Sequence, residues 1–388
     1  MKLLLKTSIL FSALLLLISF SSKATDPDTT YIQTFSNIFA LKTFVNQNAF
    51  EYTITPRNND AYTARQLKDA RVVYTPNIPA TFGVSVNIKG IGASYSFKMK
   101  NDFNDTINHA RSSFQQFTFD YYKNIFGIEA YYQDYRRFYY HFIGDQYLFR
   151  NYNSDIRAYQ LGVNGMFLFN GKKFSYNAAF NQAAMQKKSA GSVLLMMSLK
   201  FNEIKGDDLI PESVRKYYYS GSYLYRNRNY GFQISPGYAF NLSKRDFYFS
   251  GAVLAGVGIQ LQSYNYVNGS LSGRIAFPLI GRAKTSIGYN GKYFFAGLYG
   301  NYDINQSVIK SMQTQQMLYS YGVFIGGRAI RFTKTKGQLK AEEKLERFAE
   351  KATRKKERDA AKQKKESTKK VKQPKKKKEK TVKTDEDY

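Results

Sequence analysis

The chain has 388 residues, no cysteine or tryptophan, a formal net charge of +29, and a high content of aromatic residues, with 33 Tyr and 31 Phe. The absence of thiols excludes disulfide bonds, thiolate metal sites and a lipid-modified N-terminal cysteine. The mean hydropathy of −0.47 argues against a membrane protein built from helices. It permits one built from strands, because half of the residues of a membrane strand face water.

The N-terminal segment has the composition of a secretory signal. Lys2 and Lys6 precede an apolar run from Leu10 to Phe20, and Ser22-Lys23-Ala24 supplies small residues at the two positions that signal peptidase recognises. The sequence therefore predicts a signal peptide over residues 1–24, followed by a linker over 25–37. An N-terminal transmembrane anchor is the alternative, but the run is short for a membrane-spanning helix.

The stretch from Thr81 to Met99 predicts the architecture of the body. Apolar residues from Phe82 to Ile88 alternate with small or polar ones, and the alternation resumes from Ile91 after Lys89-Gly90. A period of two indicates a strand with two different faces, and glycine permits a tight reversal. A β-hairpin with an apolar face and a small, polar face is typical of a strand pair between lipid and a hydrated lumen.

The same alternation recurs along residues 38–332. The fold class predicted is all-β, a transmembrane antiparallel β-barrel of about 12 strands, with 10 to 14 allowed, since single-chain bacterial barrels have even strand numbers. The longest strand predicted is Asp246 to Gln262, with an apolar row from Phe247 to Leu261. The other strands lie within residues 41–55, 81–88, 91–99, 116–121, 126–133, 159–169, 174–181, 192–201, 272–289, 292–302 and 316–332.

Four stretches bear on the orientation of such a barrel. With both termini periplasmic, the polar segment Asn101 to Ser113 and the aromatic segment Tyr135 to Asp155 are predicted as loops outside the cell. Asn170-Gly171-Lys172-Lys173 predicts a hairpin turn. Asn202 to Arg228 has no assignable pattern and falls in the periplasm, which is atypical of bacterial barrels and indicates an error in the strand count.

Beyond the last strand the composition changes. Phe332 ends the apolar row as a terminal aromatic, which resembles the signal by which the barrel-assembly machinery recognises outer-membrane barrels. Residues 333–366 are predicted as a charged helix and 367–388 as a disordered Lys-rich tail, because nothing in the tail can be buried. In the periplasm this tail meets the cell wall or anionic lipid, or remains solvated without a fixed partner. Export excludes nucleic acid.

Three segments carry a resemblance to a known family. They are YTPNIPATFGVSVNIKGIGASYSF, FDYYKNIFGIEAYYQDYRRFYY and FNGKKFSYNAAFNQAAMQKKSAGS, together with the later GYAF. They resemble a family of outer-membrane barrels known as domain of unknown function 4421, over roughly Tyr31 to Phe332. The resemblance implies a barrel in the outer membrane of a Gram-negative cell and no established activity, catalytic residues or cofactor.

Polar positions of the strands are candidates for the lumen. Charged side chains there tune the ion selectivity of an open pore, or form salt bridges that close the lumen. The second alternative is favoured, since side chains nearly fill a lumen enclosed by about twelve strands. The candidate lumen residues by alternation are Lys98, Glu129, Gln133, Lys200 and Gln260.

The sequence allows an enzyme only as an alternative. His109 and His141, each in a predicted outer loop, have Ser112, Ser113 and Asp145 as neighbours, so an outer-membrane lipid hydrolase is conceivable. Two isolated histidines without cysteine make a zinc site improbable, and no cofactor is expected. The main prediction is a small pore or transporter, or a surface-binding or structural envelope protein, in contact with outer-membrane lipid and of undetermined oligomeric state.

Overall fold

The computed structural model describes residues 26–35, 38–57, 59–88, 90–100, 111–142, 151–267, 269, 271–309 and 312–330. The predicted signal peptide, charged helix and Lys-rich tail lie outside these residues. The elements in chain order are β1 Ile32–Thr34, β2 Ile38–Pro56, α1 Ala64–Asp69, β3 Val72–Thr75, β4 Thr81–Ile88, β5 Ile91–Lys98, β6 Ser113–Lys123, β7 Phe126–Phe142, β8 Asn151–Leu168, β9 Ala184–Gln186, β10 Ala190–Lys205, β11 Leu224–Lys244, β12 Phe247–Tyr266, β13 Leu271–Ala276, β14 Leu279–Asn290, β15 Phe294–Ile309 and β16 Met312–Ile330.

Twelve of these strands form one closed antiparallel barrel. Each pairs with its neighbours in chain order, β11 pairs with β12, and the last strand, β16, pairs along its whole length with the first, β2. The barrel strands are β2, β4 to β8, β10 to β12 and β14 to β16. The predicted fold class and strand number are confirmed. No helix among the described residues is both long and apolar enough to cross a membrane.

The barrel has two dissimilar ends. At the terminal end β2 begins and β16 ends, and the turns that join β4 to β5, β6 to β7, β11 to β12 and β14 to β15 are short. At the opposite, loop end the connections are mostly longer, and include residues 57–80 and 206–223. Gly90 adopts φ +85° in the β4–β5 turn, the left-handed conformation that glycine adopts without steric cost.

The period-two alternation of the sequence sets the two faces of the sheet. On β12, Phe247, Val253 and Leu261 are 65%, 65% and 55% exposed, whereas Ser250 and Gln260, which lie between them, are buried. The outward apolar residues of all twelve strands form a continuous belt around the barrel. From Phe247 to Leu261 the strand rises roughly 45 Å, which at a tilt near 40° is enough for the ~25 Å apolar band of a membrane barrel.

The number of strands changes along the barrel. Towards the loop end β4, β5 and β6 stop, and the short strand β3 pairs with both β2 and β7. Ten strands therefore surround the lumen at the loop end. On the other side of the barrel, β13 and β14 continue one another along β12 and are separated by Phe277 and Pro278, consistent with proline lacking the N–H that a strand ladder needs.

Four predictions about the elements are wrong, and one strand was missed. Residues 174–181 are not a strand of the barrel, whereas β11, Leu224–Lys244, was not predicted, so the two errors cancel in the strand count. The segment that follows β10 lies at the loop end with the other long connections, not at the terminal end. The segment predicted as the loop Tyr135 to Asp155 belongs largely to β7 and β8, and the predicted linker 25–37 contains β1, which pairs with β9.

Candidate functional site

The lumen is filled at the loop end by an apolar cap. Residues 206–223, which connect β10 and β11, contribute Leu209, Ile210, Val214 and Tyr218, all buried. These residues pack with inward side chains of the surrounding strands in one cluster. Its aromatic members are in direct ring contact, since the Phe50 and Tyr135 rings stack with centroids 4.7 Å apart. Burial of this cluster stabilises the cap through the hydrophobic effect.

Polar groups of the cap are satisfied by hydrogen bonds to the strands. The Tyr218 hydroxyl lies 2.9 Å from the carbonyl oxygens of both Ile54 and Ala70, and Tyr74 donates to the Leu209 carbonyl at 3.0 Å. Burial raises the pKa of Tyr218 well above its usual value of 10.0, so the hydroxyl remains a donor at physiological pH. These bonds fix residues 206–223 to β2 and to the start of β3.

A second segment fills the lumen at the terminal end. We define the plug as residues 174–184, which connect β8 to β9. It contains a single π-helical turn, Asn177–Asn181, and Phe174, Tyr176 and Ala179 are fully or almost fully buried. They pack against inward residues such as Met166, Leu194 and Leu254. A turn occurs at Asn170, whose carbonyl accepts from both Lys173 and Phe174, but it leads into the plug and not into a paired strand, so the predicted hairpin is wrong.

Hydrogen bonds connect the plug to widely separated strands of the barrel. Asn181 donates to Asp120 on β6 at 2.9 Å, and the Gln182 side chain donates to Tyr248 on β12 at 3.0 Å. The Gln182 backbone carbonyl accepts from the Arg328 guanidinium on β16. Asn290, at the end of β14, donates to the Ala184 carbonyl at 2.9 Å. Since these strands surround the lumen, the plug lies inside it.

A polar chamber of about 320 Å³ lies in the lumen between β2, β4 to β8, β10 and β14 to β16, and residues of the plug line it. Most side chains that line it are amides, hydroxyls or charged groups, which include Lys42, Gln116, Asp120, Gln160, Asn164 and Asn301. The chamber is large enough for several water molecules or one small solute.

Two ion pairs cross the chamber. Lys284 on β14 lies 3.2 Å from the Glu129 carboxylate on β7, and Lys200 on β10 lies 3.6 Å from Asp303 on β15. Arg282 reaches the same Asp303 carboxylate at 2.6 Å. The Lys284–Glu129 and Lys200–Asp303 pairs join strands that are not neighbours in the sheet, so they brace the barrel across its lumen, whereas Arg282 and Asp303 lie opposite one another on the neighbouring strands β14 and β15. Five of the seven charged side chains that line the chamber take part in these ion pairs, as expected of a closed lumen.

The structure places the five candidate lumen residues at different heights. Glu129, Gln133 and Lys200 line the chamber. Lys98 lies near the loop end, where its ammonium group donates to the carbonyls of Asn77 at 2.8 Å and Ser112 at 3.1 Å. Gln260 points inward from β12 and is buried, but does not line the chamber. The role of these residues in selectivity or closure stays a prediction.

Of the two candidate catalytic histidines, His141 lies in the part of the chain that is described. His109 and Asp145 lie outside it. His141 lies on β7 opposite Val73 of β3, on the other face of the strand from Tyr140 and Phe142, which pack against the cap cluster. Ser112 donates instead to the Arg137 carbonyl. No cluster of three or more metal-ligating side chains occurs among the described residues.

Sequence reasoning missed the partners of the chamber charges. Arg282 and Lys284 alternate with outward residues such as Ile287, so the strand predicted over 272–289 already carried the signal that they face inward. Asp303 lies one residue beyond the strand predicted over 292–302. Lys42 lies near the start of the strand predicted over 41–55. The plug contacts could not be found in this way, because they depend on how a connection folds back into the barrel.

The fold can now be compared with known proteins. The model of the family described as Domain of unknown function (DUF4421) matches residues 26–328. The chain belongs to this family. The match covers the plug, the cap and every barrel strand except the last two residues of β16, so the interior described above lies within the part of the chain that defines family membership. The resemblance seen in the sequence is confirmed.

The chain is also similar, at a low level, to solved structures of outer-membrane proteins. The outer membrane protease OmpT from Escherichia coli has a TM-score of 0.33 and 6% identity, covering 78% of this chain and 100% of that one. OmpT of Vibrio cholerae has a TM-score of 0.29 and 8% identity, covering 75% and 99%. OprG from Pseudomonas aeruginosa has a TM-score of 0.23 and 8% identity, covering 78% of this chain and 100% of that one. Likeness at this level carries no information on activity. No curated protein sequence matches the chain significantly.

Proposed function

We propose that this protein is an outer-membrane β-barrel with a closed lumen, which acts as a structural or surface-binding component of the envelope and not as an open pore. The location is supported by the apolar belt, whose side chains include Leu161, Val193, Val257 and Leu298, each more than half exposed. A continuous apolar surface around a barrel is unstable in water and stable in lipid.

The orientation follows from the two dissimilar ends. Short turns and both chain termini are typical of the periplasmic side of bacterial barrels, and long loops are typical of the outside. The terminal end is therefore periplasmic in this proposal, and the basic residues after 332 stand in the periplasm. Export by a cleaved signal peptide over residues 1–24 is part of the same proposal.

One observation carries the closed state. The lumen is obstructed at both ends, by the cap and by the plug, and the charges between them are paired across the chamber. An open pore needs a continuous hydrated path, and its charged wall residues face the solution instead of one another. The paired charges of Glu129, Lys200, Lys284 and Asp303 therefore favour closure.

Planar bilayers test this proposal with four proteins. They are the wild type, a plug variant with residues 174–184 replaced by a short Gly-Ser linker, a cap variant with residues 209–218 replaced likewise, and the double variant. The wild type should be silent, and because the two obstructions lie in series, each single variant should conduct little. The double variant should give stable conductance steps, which shows that the protein inserts. Heat-modifiable migration in gels verifies that each barrel is folded.

Regular conductance steps from the wild type would overturn the closed-lumen proposal and favour a pore. Silence of all four proteins, with each barrel folded and inserted, would show that the cap and the plug are not what closes the lumen. The lipid hydrolase stays the alternative proposal. Its test is phospholipid hydrolysis that is lost on His141→Ala or His109→Ala.

A further inference from the structure

A group of arginines lies on the outer face of the barrel near the loop end. These residues alternate with inward side chains of the cap cluster: Arg136 follows the buried Tyr135, and Arg157 lies between the buried Ile156 and Ala158. They therefore point away from the lumen. We define the arginine patch as four arginines and the two carboxylates they contact, on β7, β8, β10 and β11: Asp134, Arg136, Arg157, Glu203, Arg226 and Arg228.

The carboxylates of the patch lie beneath the guanidinium groups. Asp134 accepts from Arg136 at 2.8 Å and from Arg157 at 2.7 Å, and its side chain is 1% exposed, whereas those of the two arginines are 52% and 33% exposed. Glu203 is 4% exposed and contacts Arg228 directly and Arg226 at 3.9 Å. Each acidic group thus holds two arginines, and the outer surface presents guanidinium groups with a net charge of +2.

An aromatic row lies immediately below the patch, towards the terminal end. The ring of Phe201 contacts those of Tyr159 and Tyr230, with centroids 5.5 Å and 4.7 Å apart, and Arg157 lies over the Tyr159 ring at 5.2 Å. Below this row the outward residues are apolar, such as Leu161. Aromatic rows mark the level of the lipid headgroups on membrane barrels, so the patch lies at or just above that level.

The patch covers one sector of the barrel. Arg228 on β11 lies opposite Ser263 on β12, and Ser263 lies opposite Gly273 on β13. Both of these residues are uncharged. A uniform ring of charges would serve solubility. A localised set of exposed arginines instead indicates recognition of a particular anionic group.

We propose that the arginine patch binds the phosphate groups of lipid headgroups in the leaflet that adjoins the loop end. This inference rests on the proposed membrane location. Guanidinium groups match phosphate oxygens with two parallel hydrogen bonds. Asp134 and Glu203 each accept from only some of the N–H groups of their two arginines, so the remaining N–H groups can donate to a phosphate. A bound phosphate would also neutralise the two positive charges that the carboxylates leave unbalanced.

The test removes the excess charge without leaving a buried carboxylate unpaired. In the double variant Arg136→Gln with Arg226→Gln, Asp134 keeps Arg157 and Glu203 keeps Arg228. Titration with phosphatidic acid in detergent micelles, read by native mass spectrometry, measures retained lipid. Since a basic residue near an anionic surface contributes about 1 kcal/mol, loss of two arginines should weaken retention about 30-fold. The control double variant Arg65→Gln with Lys68→Gln, on exposed α1 at the same end, should retain lipid like the wild type.

Flotation with phosphatidylcholine vesicles separates the two proposals. Wild type and both variants should float equally, because the apolar belt is unchanged. If all three float and bind phosphatidic acid with equal affinity, or if the control loses as much as the patch variant, the arginine patch is not a phosphate site although the membrane location stands. If the folded wild type does not float, the membrane location itself fails.

Discussion

Single residues brace the interior of the barrel. Glu129 accepts from the Lys284 ammonium at 3.2 Å and from the Tyr122 hydroxyl at 2.8 Å, and Asn164 lies 3.5 Å from its other oxygen. Removing one member of such a pair leaves an uncompensated charge inside the protein, which costs more than removing both. Glu129 and Lys284 should therefore behave as one energetic unit.

A double-mutant cycle on this pair tests the coupling. Lys284→Met leaves Glu129 with neutral partners only, and we expect it to lower the free energy of unfolding by about 3 kcal/mol. Glu129→Gln should cost a similar amount, whereas the double variant should cost clearly less than the sum of the two. Urea unfolding in micelles, followed by circular dichroism because the chain lacks tryptophan, gives the three values. Strict additivity would mean that the ion pair does not brace the lumen.

Strands and turns differ in how well their sequence predicts them. The alternation in β4, β5 and β12 correctly predicted an apolar outer face and a polar inner face, since each of these strands lies between the apolar belt and the polar lumen. The same pattern in Phe174, Tyr176, Ala178 and Phe180 was misleading. The plug is enclosed on several sides, so its apolar residues pack inward at any spacing, and seven residues of period two do not distinguish it from a strand.

The site was less predictable than the fold for a related reason. Alternation assigns a residue such as Lys200 to the lumen, but says nothing of which strand lies across from it. The contact with Asp303 depends on closure of the sheet and on the register of strands far apart in the sequence. The contact of Arg328 on β16 with the Gln182 carbonyl of the plug has the same origin.

The β4–β5 turn gives a prediction at the level of an element. Gly90→Ala places a Cβ on a residue with φ +85°, which should destabilise the barrel by about 1–2 kcal/mol. Gly273→Ala is the matched control, because a Cβ there meets only the Gln262 carbonyl oxygen at 3.8 Å and the φ is not positive. Urea midpoints of the two variants compare them. Equal midpoints would show that the left-handed turn is not needed.

At the scale of the molecule, the barrel is complete without the basic C-terminal residues. β16 pairs with β2 from Met312 to Ile330, so closure of the sheet requires nothing beyond the last strand. In the proposed orientation the lysine-rich sequence that follows faces the periplasm, and binding of an anionic partner there should be weakened by salt.

Truncation after Phe332 tests the role of the tail. The truncated protein should fold to a heat-modifiable barrel of unchanged stability, but should lose salt-sensitive co-sedimentation with isolated cell wall. A full-length variant with glutamine in place of Lys375, Lys376, Lys377 and Lys378 controls for length, and should show an intermediate loss. Unchanged sedimentation of the truncated protein would exclude tethering by the tail.

The replacement of β4, β5 and β6 by the single strand β3 makes the barrel a funnel. A barrel with fewer strands has a smaller diameter. The narrow neck therefore lies at the loop end, and the wide mouth lies at the terminal end. The neck is sealed by residues of the wall itself together with one connection, whereas the described residues that occupy the mouth are those of the plug and of β1, which packs against the plug. The two closures are therefore unequal, and any route by which a solute reaches the central chamber without dismantling the sheet begins at the wide mouth.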